Sequence, residues 1–130
     1  MRFSEMAQAI KAVLHALDKL HELGICHCDV RWPNVIFDVQ NDTFVLIDFE
    51  YARPVESELP SIKHAFIPEG VRKHGKWNTS GDVHQVVQMI QGWAKIHNIN
   101  FSHIHRDILH EQAKDLLGHL ESLGDDWQSK

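Results

Sequence analysis

Two short strings hold the residues best suited to chemistry: His27-Cys28-Asp29-Val30-Arg31-Trp32-Pro33-Asn34 and Asp48-Phe49-Glu50. Carboxylate and carboxamide oxygens are hard ligands of the kind Mg²⁺ takes. A carboxylate kept apart from such ligands can accept a proton from an attacking hydroxyl. Taken singly, Asp29, Asn34 and Asp48 are ordinary turn residues. Their joint spacing, together with His27 and with Asp82 further on, is what argues for a site.

These strings need elements to bring them together. Met6, Ile10, Val13, Leu14, Leu17 and Leu20 recur at three- and four-residue steps and predict an amphipathic helix, with Ser4 placed to cap it and Gly24 to end it. Residues 25–28 read as extended and 29–34 as a loop. Residues 35–39 and 43–47 read as two strands of a hairpin around Gln40-Asn41-Asp42. From 48 to 79 there is little periodicity, and Pro54, Pro60 and Pro68 punctuate a long irregular segment. A buried central helix is expected over about 82–96, with a wide apolar face from Val83 to Ala94. Asn98 to Asn100 break it, and an interrupted last helix is expected over 102–123. The expected fold class is mainly α with a small β-hairpin laid on it.

The 130 residues suffice for a single domain, and a net charge of −5 argues against nucleic acid as the main partner. No run approaches the roughly 18 apolar residues of a membrane span, and the first residues lack the pattern of a signal peptide. A cytoplasmic location is the default expectation, with no membrane and no nucleic-acid partner. Cys26 and Cys28 make no disulfide framework. Cys26-x-Cys28 and His103-x-His105 are zinc-type pairs, but neither has a second pair at a standard spacing. His15, His21, His84, His97, His110 and His119 read as surface residues of helices. Arg53, Lys63, Arg72, Lys73 and Lys76 make the middle of the chain locally basic, which suits either a solvated loop or contact with an acidic substrate.

The first string resembles the H-R-D-x-x-x-x-N catalytic loop of protein kinases, and the second resembles their D-F-G motif. Ile67-Pro68-Glu69 is similar to the A-P-E motif that closes the activation segment, and Asp82 stands where that family opens its central helix. The resemblance covers about residues 5–95. It implies a protein-kinase-like C-terminal lobe, with catalytic loop 27–34, metal motif 48–50, activation segment about 48–69 and the central helix. It implies that Asp29 is the catalytic base and Arg31 the stabiliser of the transferring phosphate. Asn34 and Asp48 would hold Mg²⁺ and through it ATP, while His27, Glu69 and Asp82 would be structural. The partners implied are ATP and a protein Ser, Thr or Tyr hydroxyl.

The departures matter as much. Cys28 replaces the arginine that receives an activation-loop phosphate, so that form of control loses its charge partner. Glu50 replaces a glycine, and either assists the metal or repels the triphosphate. The segment Leu46 to Tyr51 is also similar to choline and ethanolamine kinases, and the loop spacing to their aminoglycoside phosphotransferase relatives. The Asp29-to-Asn34 string further resembles kinase-like domains of fungal and oomycete effectors. No G-x-G-x-x-G occurs, and the lysines before the loop, Lys11 and Lys19, fall on the first helix. The ATP-gripping N-lobe is therefore expected to be absent, so that an N-lobe-like partner or self-association would have to complete the site. A small-molecule kinase and a non-catalytic pseudokinase-like binding module are the alternatives to a protein kinase.

Overall fold

The computed structural model describes residues 1–61, 67–101, 112–124 and 127. The first helix, α1 (Phe3–Glu22), buries Met6, Ala9, Ile10, Val13, Leu14 and Leu17 along one stripe. Its start differs from expectation: Ser4 does not cap it. Glu5 instead reaches back one turn and accepts from the backbone N–H and the Nε–H of Arg2, at 3.0 and 3.1 Å. A carboxylate there also complements the positive end of the helix dipole. Gly24 ends the helix at φ +75°, a left-handed turn that costs a residue without Cβ little.

Strand β1 (Ile25–Cys26) leads into the loop of the first string. A single 3-10 turn at Trp32–Asn34 then opens the hairpin of β2 (Val35–Asp38) and β3 (Thr43–Leu46). The register Val35↔Leu46, Ile36↔Val45 and Phe37↔Phe44 sets Val35 and Leu46 on one face, and Leu46 is buried in the core. The Asp38 carboxylate accepts from the backbone N–H groups of Gln40 and Asn41, which closes the turn.

The segment expected to be irregular is more ordered than its sequence suggests. β4 (Arg53–Pro54) pairs antiparallel with β1, and β5 (Ser57–Glu58) pairs antiparallel with β6 (Lys76–Trp77). Between them lies α2 (Glu69–His74), ended by Gly75 at φ +80°. Two-residue strands and a six-residue helix are too short to leave a periodic trace. Each is fixed by contacts with distant chain instead. Cys26, Cys28, Val71 and Trp77 form a small second core beneath them.

The central helix α3 (Thr79–Ile96) begins a turn earlier than expected and packs with α1 and α4 (Ala113–Ser122) around the main core. The first half of the expected last helix lies outside the described residues, as do Lys63, His103, His105 and His110. Trp127 closes the far end of the core against Phe3 and Phe101, with ring centroids 5.3 and 6.1 Å away. The described chain is mainly α, with small antiparallel two-stranded ladders. No helix among the described residues is long and apolar enough to cross a membrane.

Candidate active site

The loop after β1 is held almost wholly by side chains. Asp82, in the first turn of α3, is fully buried and accepts four hydrogen bonds. Oδ1 takes the Cys28 N–H at 2.9 Å and the Trp77 indole N–H at 3.0 Å. Oδ2 takes the His27 N–H and the His21 Nε2–H, both at 2.8 Å. An ionised carboxylate offers about four acceptor sites, so this one is filled. The ligand atoms of His21, Cys26 and Asp82 lie within 4.8 Å of one another, but Asp82 has no acceptor left for a metal. His21 is thus no surface histidine: its side chain is only 9% exposed. Cys26 and Cys28 are buried free thiols, and burial pushes both thiols well above their usual range.

His27 works from both ring nitrogens. The Ile47 carbonyl can only accept, so the His27 Nε2–H donates to it at 2.9 Å. Nδ1 is then the acceptor of the Asp29 N–H at 3.1 Å. The ring also meets Phe49 edge to face, with centroids 5.0 Å apart. One imidazole therefore ties the first string to the strand end that carries the second.

Asp29 is 1% exposed. The Asn34 Nδ2–H₂ donates to its backbone carbonyl at 2.8 Å and to its Oδ2 at 3.0 Å. The Arg31 Nε–H donates to its Oδ1 at 3.1 Å. Asn34 also receives the Ile47 N–H on its own backbone carbonyl at 2.8 Å. Asp48 follows at once, exposed and left-handed at φ 63°, with its Oδ1 accepting the Glu50 N–H at 3.3 Å. A non-glycine residue at such φ is uncommon and marks a constrained position.

The structure thus brings Asp29, Arg31 and Asn34 into direct contact, ties Ile47, the residue before Asp48, to Asn34 through its backbone N–H, and anchors the group from behind through His27 and Asp82. Glu69 is elsewhere: it is exposed in the first turn of α2 and pairs with Lys73 at 3.6 Å. Trp32 packs against the main core and donates its indole N–H to the Met89 carbonyl at 3.0 Å. In the basic middle segment Lys76 stands opposite Glu58 in the β5–β6 register, and Arg53 donates to the Glu58 backbone carbonyl.

Sequence reasoning missed Gln85. It is 2% exposed, accepts the Val30 N–H at 2.9 Å and donates to the Cys28 carbonyl at 3.0 Å. It lies three residues after Asp82 on the same helix face. A polar residue inside an apolar stripe was the available signal.

The chain is similar to known phosphotransferases and kinases. The profile of APH, the phosphotransferase enzyme family, matches residues 2–54. The solved structure of PK-1, the Cydia pomonella granulovirus kinase, superposes with a TM-score of 0.55 at 27% identity, covering 67% of this chain and 33% of that one. By these likenesses the chain resembles the protein-kinase-like superfamily. A probable serine/threonine-protein kinase of Dictyostelium discoideum, fnkB, is 36% identical over 45 residues, 35% of the kinase-like chain and 8% of its own. Crinkler effector protein 8 of Phytophthora infestans is 41% identical over 61 residues, 47% of this chain and 10% of its own. The kinase-like chain spans about a third of the solved kinase and a tenth or less of these two relatives.

Proposed function

We propose that the chain carries the base and metal-binding half of an ATP-dependent phosphotransferase acting on a protein hydroxyl, the part that corresponds to a kinase C-terminal lobe. The observation that carries this reading is the orientation of Asn34. A carbonyl oxygen only accepts, so the Asn34 amide nitrogen must face Asp29. Its Oδ1 accepts no hydrogen bond among the described residues. A buried oxygen without a donor among the described residues, taken together with the exposed Asp48 carboxylate, would make a donor set that fits Mg²⁺.

When bound there by Asn34 and Asp48, Mg²⁺ would neutralise charge on the phosphates of ATP. Asp29 accepts the proton as the substrate hydroxyl oxygen bonds to the γ-phosphorus, and the bond to ADP breaks. Arg31 donates to Asp29 through Nε, which leaves the outer guanidinium nitrogens to meet the transferring phosphoryl group. The same Nε–H competes with the substrate hydroxyl for the base, so Arg31 must yield as substrate arrives.

Ile36, Phe37 and Phe49 are 48, 45 and 50% exposed on and beside the hairpin. Large exposed apolar side chains near the proposed site, here on both faces of the hairpin, offer surface that a partner can cover. In this reading an ATP-gripping lobe covers them, in the same polypeptide, a partner or a second copy. The match to the phosphotransferase enzyme family over residues 2–54 favours a second reading, a small-molecule hydroxyl acceptor.

Transfer of label from γ-labelled ATP to generic protein substrates, run beside choline and aminoglycosides, separates the two. Label on protein that disappears in Asp29→Asn is the expected result. Label only on a small molecule would establish the second reading, and no Mg²⁺-dependent transfer to any acceptor would overturn both.

A further inference from the structure

We infer that Gln85 is a positioning residue for phosphoryl transfer: it clamps the peptide groups on both sides of Asp29 and holds Cys28 in its left-handed conformation. The inference rests on the reading of Asp29 as base, but its structural half stands without it. Cys28 has φ 74°, a conformation that is unfavourable for a residue with a Cβ. It persists only where the surroundings over-determine it.

Here they do so from one helix. Asp82 takes the Cys28 N–H and Gln85 supplies a donor to the Cys28 carbonyl. With the acceptor end of the same amide, Gln85 takes the Val30 N–H. Asp29 lies between these grips, with its own N–H on His27 and its own carbonyl on Asn34. Trp32 adds a bond to the Met89 carbonyl. Positions 82, 85 and 89 fall on one face of α3, so a single rigid helix reads the loop at residues 27, 28, 30 and 32. Relaxing Cys28 to negative φ would swing the chain that follows and move the Asp29 carboxylate off its aim. Small errors in the placement of a reacting group cost rate steeply.

Neither role belongs to Asp82 alone, because a carboxylate has no donor for the Cys28 carbonyl. The Gln85 amide serves an acceptor and a donor at once, which an ionised carboxylate cannot. Gln85→Glu keeps the shape and the bond to the Val30 N–H, but sets an oxygen against the Cys28 carbonyl. Gln85→Met keeps the volume and removes both bonds.

The test measures kcat and KM for ATP in each variant, alongside amide hydrogen exchange at Val30 and global stability. In both variants kcat is expected to fall about tenfold or more while KM for ATP moves by less than about twofold. Val30 exchange should quicken in Gln85→Met well beyond any change in the α3 core amides. Adding Cys28→Gly, which adopts positive φ freely, should recover part of the loss in Gln85→Met. A kcat within about twofold of the parent in both variants, a fall matched by KM, or no recovery with Cys28→Gly would overturn the inference. If the parent chain transfers no phosphate, the functional reading fails. The Val30 exchange and its coupling to Cys28→Gly then decide the clamp separately, and unchanged Val30 protection in Gln85→Met overturns it.

Discussion

The Asn34 side-chain amide donates to both the backbone carbonyl and the carboxylate of Asp29, at 2.8 and 3.0 Å. One planar group thus fixes Asp29 and, by the same orientation, turns its own oxygen away from it. In the proposed reading a single rotamer sets both base and metal ligand, so a change at Asn34 has two separable consequences.

Asn34→Asp replaces the donor with a second carboxylate beside the buried Asp29. The Asp29 carbonyl and Oδ2 lose their partner and two like charges meet. Stability should fall by about 1–3 kcal/mol, read as a lower urea midpoint. An unchanged midpoint would mean that the Asn34–Asp29 contact holds nothing in place.

Asp82→Ala leaves four donors without an acceptor, three of them buried in the fold behind the loop. The expected loss is at least about 3 kcal/mol, more than a helix cap alone contributes. A melting temperature close to that of the parent would show that water or another group replaces Asp82 without cost.

The two helical glycines of α3 should behave oppositely. A Cβ on Gly81 would sit 2.6 Å from the Trp77 ring, whose indole already donates to Asp82. Gly81→Ala should therefore destabilise the fold by about 1–3 kcal/mol. Gly92 is exposed with nothing within 4 Å of such a Cβ, so Gly92→Ala should stabilise by about 0.5–1 kcal/mol. Equal effects at the two positions, measured by urea denaturation, would contradict the packing of Trp77 on α3.

Much of this was legible in the sequence. Apolar periodicity located α1 and α3, and the turn residues located the hairpin. The spacing from His27 to Asn34 found the residues that prove to be bonded together. What escaped has a common cause. β4, β5, β6 and α2 are too short for a period to show, and they exist because Cys26, Glu58 and Trp77 meet partners far along the chain. His21 reads as an exposed helix position until α3 brings Asp82 to it. Gln85 shows in the sequence only as a polar residue inside the apolar stripe of α3, and the backbone groups of the loop that it holds leave no trace there.

Stability should fall on both sides of neutrality. Burial holds the His84 imidazole below its ordinary value. As pH drops through about 6.5 the unfolded chain binds that proton more readily and folding loses ground. Burial raises the Cys26 and Cys28 thiols, so above about 8.5 the unfolded chain sheds protons that the folded one keeps, and stability declines again. Urea midpoints across pH should show this, with His84→Gln flattening the acid arm. Thiol alkylation should track unfolding. Rapid labelling of the folded chain, or an acid arm unchanged in His84→Gln, would contradict the assignment.

The most direct test of the central claim is calorimetric titration of the purified chain with ATP, with and without Mg²⁺, in the parent and in Asp48→Asn. The account predicts binding that needs Mg²⁺ and is lost in Asp48→Asn while the variant melts as the parent does. Binding that is equally strong without Mg²⁺, or that survives Asp48→Asn, would show that Asn34 and Asp48 do not form the metal site.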